Sequence, residues 1–190
     1  MPSVFEVLSR DHAEVKQLLS ELESGPTPAT GASPDLLALR KNMAETLVIK
    51  ESKHEAAEAM HIWPTVRERL PDGGHLADRA ISQEQEGKEV LAKLDKAEAD
   101  DPEFEALLSE FIAAGRDHIA FEESQVWPAL QTRLTEAEAG ELGGKIEQAK
   151  KTGPTRPHPH TPAVPGGLKS AGPVATAVGR ARDVMTDTGN

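Results

Sequence analysis

The sequence has no cysteine and no tyrosine, and only two tryptophans and four phenylalanines among its 190 residues. The absence of cysteine excludes disulfides, zinc–thiolate sites, cysteine-ligated iron–sulfur clusters and cysteine nucleophiles. No apolar run is long enough to span a membrane, and the first residues lack the basic stretch of a secretory signal. The net charge of −11 disfavours nucleic acid as the main partner. These features predict a cytoplasmic protein that binds neither membranes nor nucleic acid.

The composition changes near residue 151. Residues 151–190 hold five Lys or Arg, two Asp or Glu, and six of the 14 prolines. Such a stretch neither propagates a helix nor buries a core, so we expect a flexible, disordered Pro/Gly-rich tail. The tail has a net charge of +3 out of a total of −11, which leaves −14 on residues 1–150. We expect those residues to form one domain.

Residues 1–150 are rich in helix formers and contain no alternating β pattern. In the first predicted helix, which begins near Ser3, apolar residues and His12 recur every three or four positions, as on one face of a helix. Further helices are predicted from Pro34, with a kink or an end at Pro64, and over roughly 75–98, 102–134 and 136–150. The predicted fold is all-α: an up-and-down antiparallel four-helix bundle with a short extra helix that packs outside it.

An internal repeat carries the clearest functional signal. The second and fourth predicted helices share the pattern H-x3-E-x4-W-P-x-[VL]-x2-R-L, which begins at His54 and at His118. Residues i and i+4 lie one above the other on a helix, so His54 with Glu58, and His118 with Glu122, can reach a common centre. In an up-and-down bundle these two helices are parallel and diagonally opposite. Both pairs are therefore expected to project into one interior plane.

Buried carboxylates and imidazoles without partners are costly, and bound cations remove that cost. A single His-x3-Glu pair is more often a surface feature. Two copies on alternate helices, with His12 on the inward face of a third, predict a metal site. Nitrogen and oxygen ligands without sulfur, in a helical bundle, favour iron or manganese.

These residues resemble the hemerythrin-like family, also called the HHE cation-binding domain, over about residues 1–134. The resemblance rests on Asp11-His12, on the two His-x3-Glu pairs, on Glu123 after the second pair, and on the Trp-Pro that follows each pair. It implies a four-helix bundle around two non-haem iron ions joined by an oxo or hydroxo bridge. It further implies Glu58 and Glu122 as bridging ligands, with His12, His54 and His118 as terminal ligands.

The third predicted helix departs from the family pattern, which usually has a histidine there. We expect Glu84 to replace it, as in an actinobacterial-type variant, because Glu84 lies on the inward face with Ile81 and Leu91. His61 is an additional candidate ligand on the face of His54. His75 is expected above the plane of the site.

Other polar residues are weighed against simpler roles. Lys50 is expected at the bundle surface, the alternative being a charge partner for Glu84 or a donor to bound oxygen species. Glu55 and Glu123 are expected behind the ligands or on the surface. His158 and His160 belong to the tail.

The resemblance implies a small-molecule partner, which is O₂, peroxide or NO. With Glu84 in place of histidine the centre is more carboxylate-rich than that of an oxygen carrier, which favours redox turnover. We expect a di-iron protein of oxidative or nitrosative stress with catalase-like activity. The alternatives are a sensor of iron, O₂ or NO without turnover, and a metal-free helical interaction protein.

Overall fold

A computed structural model describes residues 1–159. In this range the chain forms helices and no strand, which confirms the all-α prediction. A π-helical turn, Glu122–Val126, joins α4 to α5, so that the two form one continuous rod, and a short 3₁₀ turn spans Pro28–Thr30. The α-helices are α1 (Val4–Ser24), α2 (Pro34–Arg69), α3 (Gly73–Leu94), α4 (Pro102–Phe121), α5 (Trp127–Gln131) and α6 (Glu136–Thr152).

The long helices form the predicted up-and-down bundle. Helix α2 packs against α1 and α3, and α4 also packs against α1 and α3. Helices α2 and α4 therefore lie diagonally opposite each other, which is the arrangement that the repeat requires. The two copies of the His-x3-Glu pattern face each other across the interior.

Local sequence signals account for where the helices begin. Ser3 caps α1 in a capping box with Glu6, and Ser33 caps α2 ahead of Pro34. Helix α2 continues past Pro64 to Arg69, so Pro64 does not end it. Helix α3 ends at Leu94, earlier than predicted. Just after this end, Lys41 Nζ donates to the backbone carbonyl of Asp95 at 2.9 Å.

The core has two apolar clusters with a polar layer between them. On α1, Val4, Val7 and Leu8 belong to one cluster, and Val15, Leu19 and Leu22 belong to the other. Asp11 and His12, which lie between these two sets in the sequence, are also buried. The layer that holds the candidate ligands is thus closed above and below by packed side chains.

Helix α6 does not simply pack outside the bundle, because it contributes to the core. It packs against α1 and α2, and Ile146 is fully buried. Gly143 permits the close approach to α1, since a Cβ there would lie 2.4 Å from the carbonyl oxygen of Pro2. Lys150, near the end of α6, forms an ion pair with Asp11.

Residues 153–159 differ from the expectation that flexible chain begins at 151. Arg156 and Asp95 are both buried and pair at 3.1 Å, and Gln85 donates to the carbonyl of Pro159 at 2.8 Å. The expected disorder of the remaining tail, His160 included, lies outside the described residues. Among residues 1–159, no helix combines the length and apolar character needed to cross a membrane.

Candidate metal centre

Six of the seven predicted ligands meet in the polar layer of the bundle. They fall into two groups, and within each group one ligand atom per residue lies within 4.8 Å of the others. We call the groups the first pocket and the second pocket. The first pocket consists of His12, His54, Glu58 and Glu122, and the second of Glu58, Glu84 and His118.

The first pocket brings α1, α2 and the π-helical turn together. His12 Nε2 lies 3.1 Å from Glu122 Oε2 and 3.3 Å from His54 Nε2. His54 Nε2 in turn lies 3.2 Å from Glu58 Oε2. Two imidazole nitrogens and two carboxylates thus converge on one small volume, which suits a divalent or trivalent cation.

The second pocket brings α2, α3 and α4 together and shares Glu58 with the first. Glu122 also borders both pockets, because its Oε1 lies 3.5 Å from His118 Nε2 while its Oε2 faces His12. A carboxylate shared between two neighbouring pockets can bridge two cations. The arrangement therefore fits a dinuclear centre.

Each ligand histidine is held by a partner behind it. The Nδ1 atom of His12 lies 3.1 Å from Glu123 Oε1, that of His54 lies 3.5 Å from Asp11 Oδ2, and that of His118 lies 3.2 Å from Gln83 Oε1. Where Nδ1–H donates outward, as the contacts of His12 with Glu123 and of His118 with Gln83 allow, Nε2 is left unprotonated and directed inward for a metal. Glu123 thus lies behind a ligand, as the sequence suggested.

Glu84 is held on both carboxylate oxygens. Trp63 Nε1 donates to its Oε1 at 2.5 Å, and Lys88 Nζ lies 3.4 Å from its Oε2. Lys50, weighed as a charge partner of Glu84, instead pairs with Glu14 at 2.7 Å. The charge partner of Glu84 is therefore Lys88, one turn further along α3.

Burial and charge shift the pKa values of these groups strongly. Burial lowers the pKa of both His12 and His118 to about 4. Burial also lowers the pKa of His54, but the Glu58 carboxylate and the contact with Asp11 outweigh it, so that the pKa is raised. Burial raises the pKa of Glu122 well above its usual range.

Several atoms of the candidate ligands have no hydrogen-bond partner among residues 1–159. Both carboxylate oxygens of Glu58, both of Glu122, and Nε2 of His118 are buried without one. Orphaned buried polar atoms of this kind are rare and costly. Cations in the two pockets would satisfy all five atoms, so the residues present fit a pair of metal ions.

The seventh predicted ligand, His61, belongs to neither pocket. It lies seven residues beyond His54 on α2, which places it about 10 Å further along the helix axis. It is only three residues beyond Glu58, about 4.5 Å of helical rise, yet the structure does not bring its ring into either group of ligands. His75 is exposed at the start of α3.

Three features of the site went unnoticed in the sequence. Lys88 had a usable signal, since it lies four residues after Glu84 on α3. Gln83 had none, because its contact with His118 joins two helices. The π-helical turn at Glu122 was also missed, although such turns often occur at functional sites.

Comparisons with known proteins agree with this geometry. The profile of the hemerythrin HHE cation-binding domain matches residues 3–130. An uncharacterized hemerythrin-like protein of Schizosaccharomyces pombe is 29% identical over 135 residues, which cover 70% of this chain. The match spans 66% of that relative, just under two thirds of its length.

A solved structure shares the fold. It is the crystal structure of a hemerythrin HHE cation-binding domain-containing protein from Mycobacterium kansasii. The TM-score is 0.64 at 23% identity, and the alignment covers 80% of this chain and 89% of the other.

Proposed function

The chain belongs to the hemerythrin HHE cation-binding domain family, and on that premise we propose that it is a non-haem di-iron protein that reacts with O₂, peroxide or NO. The observation that carries the proposal is the pair of pockets that share Glu58. His12, His54, Glu58 and Glu122 would hold one iron, and Glu58, Glu84 and His118 would hold the other. Nitrogen and oxygen donors without sulfur support iron in both pockets.

The two pockets differ in the number of protein ligands, and this difference supports a reactive second pocket. The first pocket offers four residues and the second offers three. A metal with fewer protein ligands keeps coordination positions open for a small molecule. Two iron ions supply electrons that protein side chains lack, which is the redox chemistry of such a centre.

The protein itself positions the ligands and excludes water. Trp127 stacks on the His12 ring, with ring centroids 4.6 Å apart. Trp63, which is almost fully buried, fixes Glu84 through its indole N–H. These two indoles belong to the apolar cluster on one side of the polar layer. The tryptophans of the repeat therefore close that side of the site and orient one ligand each.

A catalase-like reaction is the activity that we propose to test first. It converts two peroxide molecules into two waters and one O₂, so it needs no external reductant. Protein reconstituted anaerobically with Fe²⁺ and then exposed to peroxide should release O₂ steadily. His118→Ala should lose most of this release, while His75→Ala, an exposed histidine on α3, should keep it. A fully iron-loaded protein without turnover would rule out the catalytic proposal.

A second candidate is a sensor of iron, O₂ or NO that performs no turnover. It is favoured by the contact of Lys150 on α6 with Asp11, which in turn lies behind the ligand His54. A change at His54 could thus reach α6, which packs against α1 and α2. Faster amide hydrogen exchange in α6 when NO binds to the iron-loaded protein, with no O₂ release from peroxide, would support sensing. Unchanged exchange would contradict it.

A further inference from the structure

Lys88 lies midway between two buried carboxylates. Its Nζ atom is 3.4 Å from Glu84 Oε2 on the same helix and 3.4 Å from Glu55 Oε2 on α2. Both glutamates are buried, and the lysine side chain is 14% exposed. One ammonium is therefore shared by two carboxylates inside the bundle, and only Glu84 belongs to a metal pocket.

A cation in the second pocket has to share Glu84 with this ammonium. Charges a few ångströms apart in a protein interior interact strongly, because little solvent screens them. Lys88 therefore repels a cation in the second pocket. It also neutralises part of the negative charge of Glu84, which that cation would need. The first pocket differs, because the side chains behind its histidines are Glu123 and Asp11, which are both acidic.

Glu55 offers the ammonium a second position. An unpaired lysine in this interior would be costly, but Lys88 needs to move little to pair with Glu55 alone. Glu84 would then be able to turn its carboxylate to the metal, while Trp63 still holds its other oxygen. Lys88 is thus able to exchange its ion-pair partner between Glu84 and Glu55.

Resting on the di-iron function proposed above, we propose that Lys88 competes with the cation of the second pocket and moves to Glu55 when that pocket fills. The two pockets then fill in order. The first pocket binds its metal tightly, and the second binds more weakly and exchanges. Lys88 is a positioning residue in this account, since it sets the availability of Glu84 and does not itself contact the metal.

The test is a calorimetric titration of metal-free, full-length protein with Fe²⁺ under anaerobic conditions. The wild type should bind in two steps, the second at least about tenfold weaker than the first. Lys88→Met should tighten the second step about tenfold and leave the first unchanged. Lys88→Arg keeps the charge and should keep the two unequal steps. Lys50→Met, which removes a lysine that pairs with Glu14, is the matched control and should behave like the wild type.

Glu55→Gln tests whether Lys88 moves to Glu55 when the second pocket fills. It is expected to weaken the second binding step, whereas Lys88→Met tightens it. Without Glu55 the ammonium stays on Glu84, so the second step should weaken about tenfold. The same change made together with Lys88→Met should have no further effect, because the two residues act as a pair. This variant keeps the test decisive even if Lys88→Met fails to fold, which circular dichroism would show.

The outcomes separate this inference from the function on which it rests. Two equal binding steps in the wild type, with no change in Lys88→Met or Glu55→Gln, would overturn the role of Lys88 and leave the di-iron function standing. A wild type that takes up no Fe²⁺ would overturn both.

Discussion

The Nε2 atoms of His12 and His54 face each other at 3.3 Å, although the two residues lie on different helices. Two ring nitrogens this close cannot both direct a proton at each other. Burial lowers the pKa of His12 to about 4, whereas for His54 burial is outweighed by the Glu58 carboxylate and the contact with Asp11, so that its pKa is raised. Depending on the tautomer, one ring nitrogen donates to the other, and a cation between them would satisfy both. The two nitrogens thus converge on the first pocket.

Glu58→Gln should weaken metal binding in both pockets, because Glu58 is the ligand that they share. We expect a loss of about a hundredfold or more in affinity, since an amide replaces a charged ligand. Metal content after dialysis and a titration with Fe²⁺ would measure it. Glu45→Gln is the control, because Glu45 is buried on the same helix and pairs with Lys41 away from the site. Wild-type metal content in Glu58→Gln would contradict the shared-ligand arrangement.

Asp11→Asn should weaken metal binding about 10- to 100-fold without abolishing it. Asp11 does not belong to either pocket, but it lies 3.5 Å from His54 Nδ1 and pairs with Lys150. Loss of its charge makes His54 a poorer donor and loosens its orientation. The affinity of the tighter Fe²⁺ step is the measurement. Asp78→Asn removes an aspartate from an exposed pair with Arg67 and should have no effect. Equal affinity in both variants would contradict the role of Asp11.

The metal-free protein should lose stability as the pH rises from 6.5 to 8.5. Burial raises the pKa of Glu51 to about 7 and that of Glu55 to about 8, from an ordinary 4.5. Groups raised in this way stabilise the fold fully below pH 4.5, and this stabilisation is lost as the pH rises through 7 and 8. His12 and His118 act oppositely, but their effect is complete above the ordinary histidine pKa of 6.5.

Thermal unfolding of chelator-treated protein at pH 6.5 and at pH 8.5 measures this loss. Glu51→Gln should reduce it by about 1 kcal/mol in the free energy of unfolding, because that variant has no carboxyl to ionise and most of the loss due to Glu51 already falls between pH 4.5 and 6.5. Bound metal should oppose the trend, since metal binding requires deprotonated ligands. A melting temperature that rises between these pH values in the metal-free protein would contradict the assignment.

A chain that ends at residue 152 should be less stable than one that ends at residue 159. The longer chain keeps the buried pair of Arg156 and Asp95 and the contact of Gln85 with Pro159. Removal of one partner of a buried pair costs about 3 kcal/mol. Thermal unfolding of the two truncated chains, and of Arg156→Ala in the full chain, measures the difference. Equal melting temperatures would show that residues 153–159 contribute nothing to the domain.

The fold was predictable because local signals and periodicity agree along the chain. The capping box at Ser3 and Pro34 at the start of α2 gave helix starts that the structure confirms. The spacing of His12 within an apolar stripe placed it in the interior, where it is buried. A helical pattern identifies which face of a helix points inward, and for α1 that was sufficient.

Helical periodicity did not predict features that depend on a residue's position along the helix axis or on contacts between helices. His61 shares the face of His54 but lies seven residues further along α2 and belongs to neither pocket. Lys88, which pairs with Glu84 on its own helix, was not predicted, although Lys50 lies at the bundle surface with Glu14, as expected. Residues 153–159 contain three of the prolines of the tail, yet Thr155 and Arg156 are buried against the bundle. Amino-acid composition indicates whether a segment can fold by itself. It does not indicate whether the segment packs against the rest of the protein.

Iron stoichiometry combined with Mössbauer spectroscopy tests the central claim most directly. Protein produced in iron-rich medium, or reconstituted anaerobically with Fe²⁺ and then oxidised, should hold about two irons per chain, because two pockets share Glu58. The oxidised spectrum should show antiferromagnetically coupled high-spin ferric ions, and Glu58→Gln should lose the coupled signal. Uncoupled iron, less than one iron per chain, or a coupled signal that survives in Glu58→Gln would contradict a dinuclear centre bridged at this residue.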